Sequence, residues 1–103
     1  MPDLPVERPV ARAPTHPGEL MREILDDHLR LKSADAAQRM RVSAQAFEAV
    51  LSGAEAVSAD IALRFGRLTG GAPELYVQMQ AQFDLWMARE RLKDTLREIE
   101  PAA

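Results

Sequence analysis

The chain has 103 residues, with 13 Lys+Arg against 16 Asp+Glu for a formal net charge of −3, and 47% of it is hydrophobic. That is the size of one small domain with apolar material for a single core, and the lack of cysteine excludes disulfides, thiolate nucleophiles and cysteine-ligated metal clusters. No apolar run approaches the ~18 residues of a membrane span, and no secretory signal opens the sequence, so a cytoplasmic protein is expected.

Residues 1–14, MPDLPVERPVARAP, hold four of the seven prolines and no helical or alternating pattern. They read as a flexible tail; the alternative is an arm carrying Arg8 and Arg12 to a phosphate backbone or minor groove. From residue 15 onward the pattern is helical. His16-Pro17-Gly18-Glu19 opens the first helix, with Pro17 at the first helical position, where its missing N–H is no loss. Leu20, Met21, Ile24, Leu25 and His28 or Leu29 recur at helical spacing as one buried face. Glu19, Glu23 and Asp27 occupy the opposite face, with Asp26 beside them. A second helix fits Ser33–Met40, with Ser33 as N-cap and Ala36, Ala37 and Met40 inward. The third starts at the N-cap Ser43, buries Phe47, Val50 and Leu51, and stops at Ser52-Gly53. A fourth starts at Ser58 and repeats Ile61, Phe65 and Leu68 before Thr69-Gly70-Gly71. Beyond Pro73 the pattern is helical to about Ile99, and no strand is visible.

That last segment carries two apolar stripes. Leu75, Met79, Phe83 and Trp86 share one face, whereas Leu85, Leu92, Leu96 and Ile99 lie roughly 130–140° around the helix. One straight helix cannot bury both against the same core. Either it breaks near residues 88–90, or its C-terminal half packs on something else, most simply the same segment of a second subunit. Residues 15–85 thus form the domain and residues 86–103 an extension for dimerisation or partner binding.

Two short helices separated by Arg41, Val42 and Ser43 suggest a helix-turn-helix, with an ordinary tight-cornered bundle as the alternative. An enzyme is not expected. His16 and His28 stand at opposite ends of one helix, too far apart for metal pairing. Gly53, Gly66 and Gly70-Gly71 form no phosphate loop. No nucleophile–base pair is evident, and neither a cofactor nor a metal is implied.

These motifs, taken in order, resemble the HigA-type antitoxins, small bacterial helix-turn-helix proteins of toxin–antitoxin pairs in the XRE/Cro-like group. His16-Pro17-Gly18-Glu19 is similar to their opening signature. Val42-Ser43 resembles the turn into the recognition helix, Ser52-Gly53 its close, and Val57-Ser58 the start of the fourth helix. Ala62-Leu63-Arg64, the segment Pro73-Glu74-Leu75-Tyr76-Val77-Gln78-Met79-Gln80 and Phe83-Asp84-Leu85 continue the likeness, which runs from about residue 14 to residue 89. The resemblance implies an all-α, five-helix, lambda-repressor-like domain and a homodimer. It also implies repression of the protein's own operon and neutralisation of a HigB-type toxin that cleaves messenger RNA. A stand-alone regulator without a toxin, or an interaction module with degenerate DNA binding, is the alternative. The chain departs from the family pattern at Arg41, where many members carry Gly for a left-handed backbone. It departs again at Ala54, in place of a frequent Lys or Arg, and at Ala36, in place of Leu.

With Phe47, Val50 and Leu51 inward, a period of 3.6 residues points Gln45, Ala49 and Ser52 outward, flanked by Ala46 and Glu48. The resemblance places DNA reading at Ser43, Gln45, Ala46 and Ala49. Gln45 alone could make a bidentate contact, to adenine, and the two alanines offer methyl contact to thymine. Lys32, Ser33, Arg39 and Arg41 complete the expected DNA-binding set. The cations act as phosphate clamps or else as ordinary solvated residues, with Asp35 and Glu48 opposing them. Leu85, Leu92, Leu96 and Ile99 are the expected dimer interface. The acidic row Glu19, Glu23 and Asp27 is either a solvated face or a docking surface for a basic toxin.

Overall fold

The computed structural model describes residues 13–103, and they are all-helical, with no strand among them. Arg8 and Arg12 of the expected arm lie outside the described residues. Helix α1 (Pro17–Glu23) starts at the N-cap His16, whose ring Nδ1 accepts the Gly18 N–H at 2.9 Å. The helix then widens into a single i→i+5 turn, Ile24–Leu29, which ends at Arg30 with left-handed φ 52° and ψ 44°. This widening corrects the expected inward face. Met21 and Leu25 are buried, but His28 and Leu29 are exposed. A wide turn adds a residue to the helical repeat and carries them off the core side. Leu31 packs on the core in their place, and its N–H donates to the Leu25 carbonyl at 3.0 Å.

Helix α2 (Ser33–Met40) is capped at Lys32, not at Ser33, and the Lys32 side chain makes no capping hydrogen bond. The Ser33 hydroxyl instead donates to Glu48 Oε1 at 3.2 Å. Ala36, Ala37 and Met40 point inward as expected. The helix ends at Arg41, which holds φ 63° and ψ 42° in the left-handed region. Helix α3 (Ala44–Leu51) follows directly, with Ser43 Oγ accepting the Ala46 N–H at 3.0 Å, and it buries Phe47, Val50 and Leu51. Helix α4 (Ala59–Thr69) opens with Ser58 Oγ accepting the Ile61 N–H at 3.1 Å.

Helix α5 (Pro73–Arg91) departs from the expected stripe. Its buried residues are Tyr76 and Gln80; Met79, Phe83 and Trp86 are half-buried, and Leu75 is exposed. At Leu92 the backbone turns to φ −100° and ψ 12°, and a short α6 (Lys93–Glu98) ends before Ile99, which is extended. Of the two expected alternatives, the helix does break, at Leu92, just past residues 88–90.

Phe47, Phe65 and Tyr76 fill the core, with ring centroids 6.1 Å apart for the first pair and 5.3 Å, edge to face, for the second. Burying each of the two phenylalanines contributes about 1.5–3 kcal/mol. Burial also raises the Tyr76 pKa, an effect partly offset by its hydrogen bond with Thr69.

Two polar anchors then fix α3 from either side. Gly18 lets α1 lie against the end of α3, since a Cβ there would stand 2.2 Å from the Val50 carbonyl oxygen and 2.8 Å from that of Leu51. The His16 ring meets Phe83 edge-on at 5.1 Å and ties this junction to α5. On the other side, buried Gln80 accepts the Val57 N–H at 2.8 Å and donates to Asp84 at 2.9 Å. The loop after α3 is thereby pinned to α5.

Candidate nucleic-acid interface

The core face of α3 is locked, so its opposite face is what the fold presents. Ser43, Gln45 and Ala46 are exposed and Ala49 is half-buried. These four line one shallow groove, completed by Glu55, Ala56, Ser58 and Ile61 from the following loop and α4. Ser43 keeps a hydroxyl hydrogen to donate, because its oxygen is the acceptor in the cap.

The other expected contacts do not join this groove. Arg39 and Arg41 are exposed but line a separate cleft of about 530 Å³, with Met40, Leu63, Arg64, Arg67 and Leu68. Arg64 stands in the motif Ala62-Leu63-Arg64, but the sequence assigned it no role at the site. Its guanidinium pairs with Asp60, and one nitrogen donates to the carbonyls of Met40 at 2.7 Å and Arg41 at 3.3 Å. It thus satisfies carbonyls left open at the end of α2. Arg67, also missed, adds a further cation to the cleft. A period-3.6 reading of α4 from Phe65 would have put Arg67 on the outward side and Arg64 on the flank.

Lys32 and Ser33 stand at the start of α2. Lys32 is exposed, whereas the Ser33 hydroxyl is committed to Glu48. Glu48 also pairs with Arg22 of α1, a partner no sequence pattern pointed to because the two are 26 residues apart.

The acidic row is exposed, and Glu19, Glu23, Asp26 and Asp27 surround a shallow depression with Arg22 and Leu51. Toward the C-terminus, Leu85, Leu92, Leu96 and Ile99 are 52%, 37%, 46% and 62% exposed, and no residue of α6 is buried. Among the described residues no helix is long and apolar enough to cross a membrane, and no three His, Cys, Asp or Glu side chains are grouped to hold a metal ion.

No family model matches the chain. Solved structures do. An addiction-module antidote protein of a HigA family from Coxiella burnetii is 30% identical, with a TM-score of 0.79 over 87% of this chain and 99% of that one. The chain belongs to the HigA family. The antitoxin HigA of Pseudomonas aeruginosa, in a structure with the higBA promoter, is 27% identical, with a TM-score of 0.80 over 87% and 99% of the two chains. A curated relative, virulence-associated protein A′ of Dichelobacter nodosus, is 31% identical over 85 residues, covering 82% of this chain and 73% of that protein. Among the described residues this HigA-family fold consists of five helices and a short sixth, with the helix-turn-helix formed by α2 and α3.

Proposed function

We propose that this HigA-family chain is an antitoxin that represses its own operon by binding operator DNA and occupies a HigB-type toxin that cleaves messenger RNA. The observation that carries the DNA half is the outward face of α3, with Gln45, Ala46 and Ala49 set behind the Ser43 cap in one groove. It is supported by the P. aeruginosa relative, whose structure includes promoter DNA. Gln45 would make a bidentate contact to adenine and the alanine methyls would meet thymine, while Ser43 and the helix start take a phosphate. Lys32, Arg39 and Arg41 would flank this contact on the backbone, whereas the one hydroxyl hydrogen of Ser33 stays on Glu48. No arginine stands on the outer face of α3 for guanine, so the reading is narrow and the salt dependence shallow.

The exposed stripe Leu85, Leu92, Leu96 and Ile99 would pair with its copy in a second subunit, making residues 86–103 a dimerisation extension of the domain at 15–85. A two-fold dimer would then place two copies of α3 on successive turns of one duplex face, ~34 Å apart. The toxin half rests on family membership and on the acidic row Glu19, Glu23 and Asp27, which would complement a basic ribonuclease surface. The protein acts by binding alone, in the cytoplasm, with neither cofactor nor metal.

The test combines two measurements. A labelled duplex from directly upstream of the chain's own reading frame should shift at low salt. The product of the adjacent frame should co-purify with the chain and lose its ribonuclease activity. A duplex that does not shift overturns the repressor reading, and an adjacent product that neither binds nor cuts RNA overturns the antitoxin reading.

A further inference from the structure

Glu48 is the one carboxylate on α3, and it lies about 60° around the helix from Gln45. Left bare, it would set a negative charge beside the groove and at the start of α2, where phosphates are proposed to lie. The fold does not leave it bare. Arg22 of α1 pairs with Oε2 and the Ser33 hydroxyl donates to Oε1 at 3.2 Å, so both oxygens are held. Arg22 is Glu48's only ion-pair partner among the described residues.

The pair is 40% and 49% exposed in its side chains, too open to be a major source of stability. Its electrostatic effect on a neighbouring polyanion is another matter. A carboxylate within a Debye length of ~8–10 Å of phosphates opposes binding, and a guanidinium clamped to it cancels most of that opposition. We infer that Arg22 is a positioning residue for DNA recognition: it acts through Glu48, turning the carboxylate toward α1 and cancelling the one negative charge on the recognition helix. The inference rests on the DNA reading above. It adds a determinant of operator affinity contributed by α1, outside the helix-turn-helix.

The signs of two substitutions separate this role from the others. Arg22→Gln should weaken binding of the labelled upstream duplex by ~3–10-fold at low salt, because Glu48 is released. Glu48→Gln, which keeps the size and the hydrogen-bond acceptor, should tighten it by ~2–5-fold. The double variant has no net charge at the pair, as in the wild type, so its affinity should return to within about twofold of wild type. Arg22→Lys, which keeps the charge, should stay near wild type. Thermal melts of each variant establish that the fold is intact.

Single variants that both weaken binding would show a merely structural pair and overturn the inference. So would a slope of log K against log salt reduced by about 1 in Arg22→Gln, which means direct contact of Arg22 with phosphate. If the wild-type chain binds no duplex, the repressor reading falls and this inference falls with it; binding by wild type with the wrong signs overturns the inference alone.

Discussion

Arg41 occupies a backbone conformation that disfavours any side chain, and that makes Arg41→Gly an informative substitution. At φ 63° and ψ 42° the Cβ crowds the following carbonyl, at a cost of about 1–2 kcal/mol. Glycine removes that cost but brings about 0.5–1 kcal/mol of extra unfolded-chain entropy. Taken low end against low end and high against high, the net gain is about 0.5–1 kcal/mol. The backbone bonds that hold the turn survive, because the Arg41 N–H and carbonyl are untouched: Arg41 donates to the Gln38 carbonyl at 3.1 Å and accepts from Arg64 at 3.3 Å. For a domain of this size the gain should raise Tm by about 2–8 °C, read by circular dichroism. Arg30→Gly is the control. Arg30 also sits in the left-handed region, at φ 52°, but it ends the wide turn of α1 instead of leading into α3. Both variants should be stabilised. Only Arg41→Gly should bind the upstream duplex more weakly, with the slope of log K against log salt reduced by about 1. If neither variant melts higher, the strain argument is wrong; if Arg41→Gly melts higher and binds DNA unchanged, Arg41 contacts no phosphate.

Gln80→Leu should cost about 1–3 kcal/mol in urea denaturation, because the Val57 N–H it satisfies is left buried without a partner; a loss under about 0.5 kcal/mol would mean that water replaces the amide. Tyr76 contributes a pH dependence of known sign. Its pKa is raised above ~10 by burial in the fold, so the stability it confers is whole below that pH and is lost as pH rises through the folded value. As the chain's only tyrosine, it can be followed by tyrosinate absorbance, and Tyr76→Phe should remove this component of alkaline destabilisation. Leu92→Asp with Leu96→Asp should convert a dimer to monomer, since each carboxylate would be buried unpaired; an unchanged molar mass by light scattering rejects that interface. Glu23→Lys with Asp27→Lys should slow toxin capture several-fold at low salt while leaving DNA binding intact, and capture at the wild-type rate would reduce the acidic row to a solvated face.

The local elements were legible because local chemistry specifies them. Pro17 at the first turn, the hydroxyl caps Ser43 and Ser58, and the inward residues of α2 and α3 all fall where capping and period place them, while on α4 Phe65 is buried and Ile61 and Leu68 are half-buried. The misses share another cause. His28 and Leu29 were displaced by a wide turn that no residue in the sequence announces. Ser33 looked like a cap by type, but a tertiary partner, Glu48, took its hydroxyl. On α5, a stripe of large apolar residues concealed that Gln80 is buried, because polarity argues for the surface unless a partner is known. The same holds for the interface: the groove of α3 follows from helical period, whereas the Arg22–Glu48 pair and the Arg64 contacts to the turn need the packing of α1 and α4.

Those tertiary contacts also explain why the family motifs lie so far from α3, the helix they orient. An eight-residue helix is too short to hold its own shape or aim. Here its end is clasped by the His16–Gly18 corner of α1, through an approach that excludes a Cβ. The loop that follows it is bolted by Gln80 to α5, and the turn that precedes it is held by Arg64 of α4. Its one carboxylate is tied back to α1 by Arg22. Helix α1 thus contributes two contacts that orient α3, and α4 and α5 contribute one each. A substitution at Gly18, Gln80 or Arg64 would therefore reach DNA binding through the aim of that helix, with Gln45 itself unchanged.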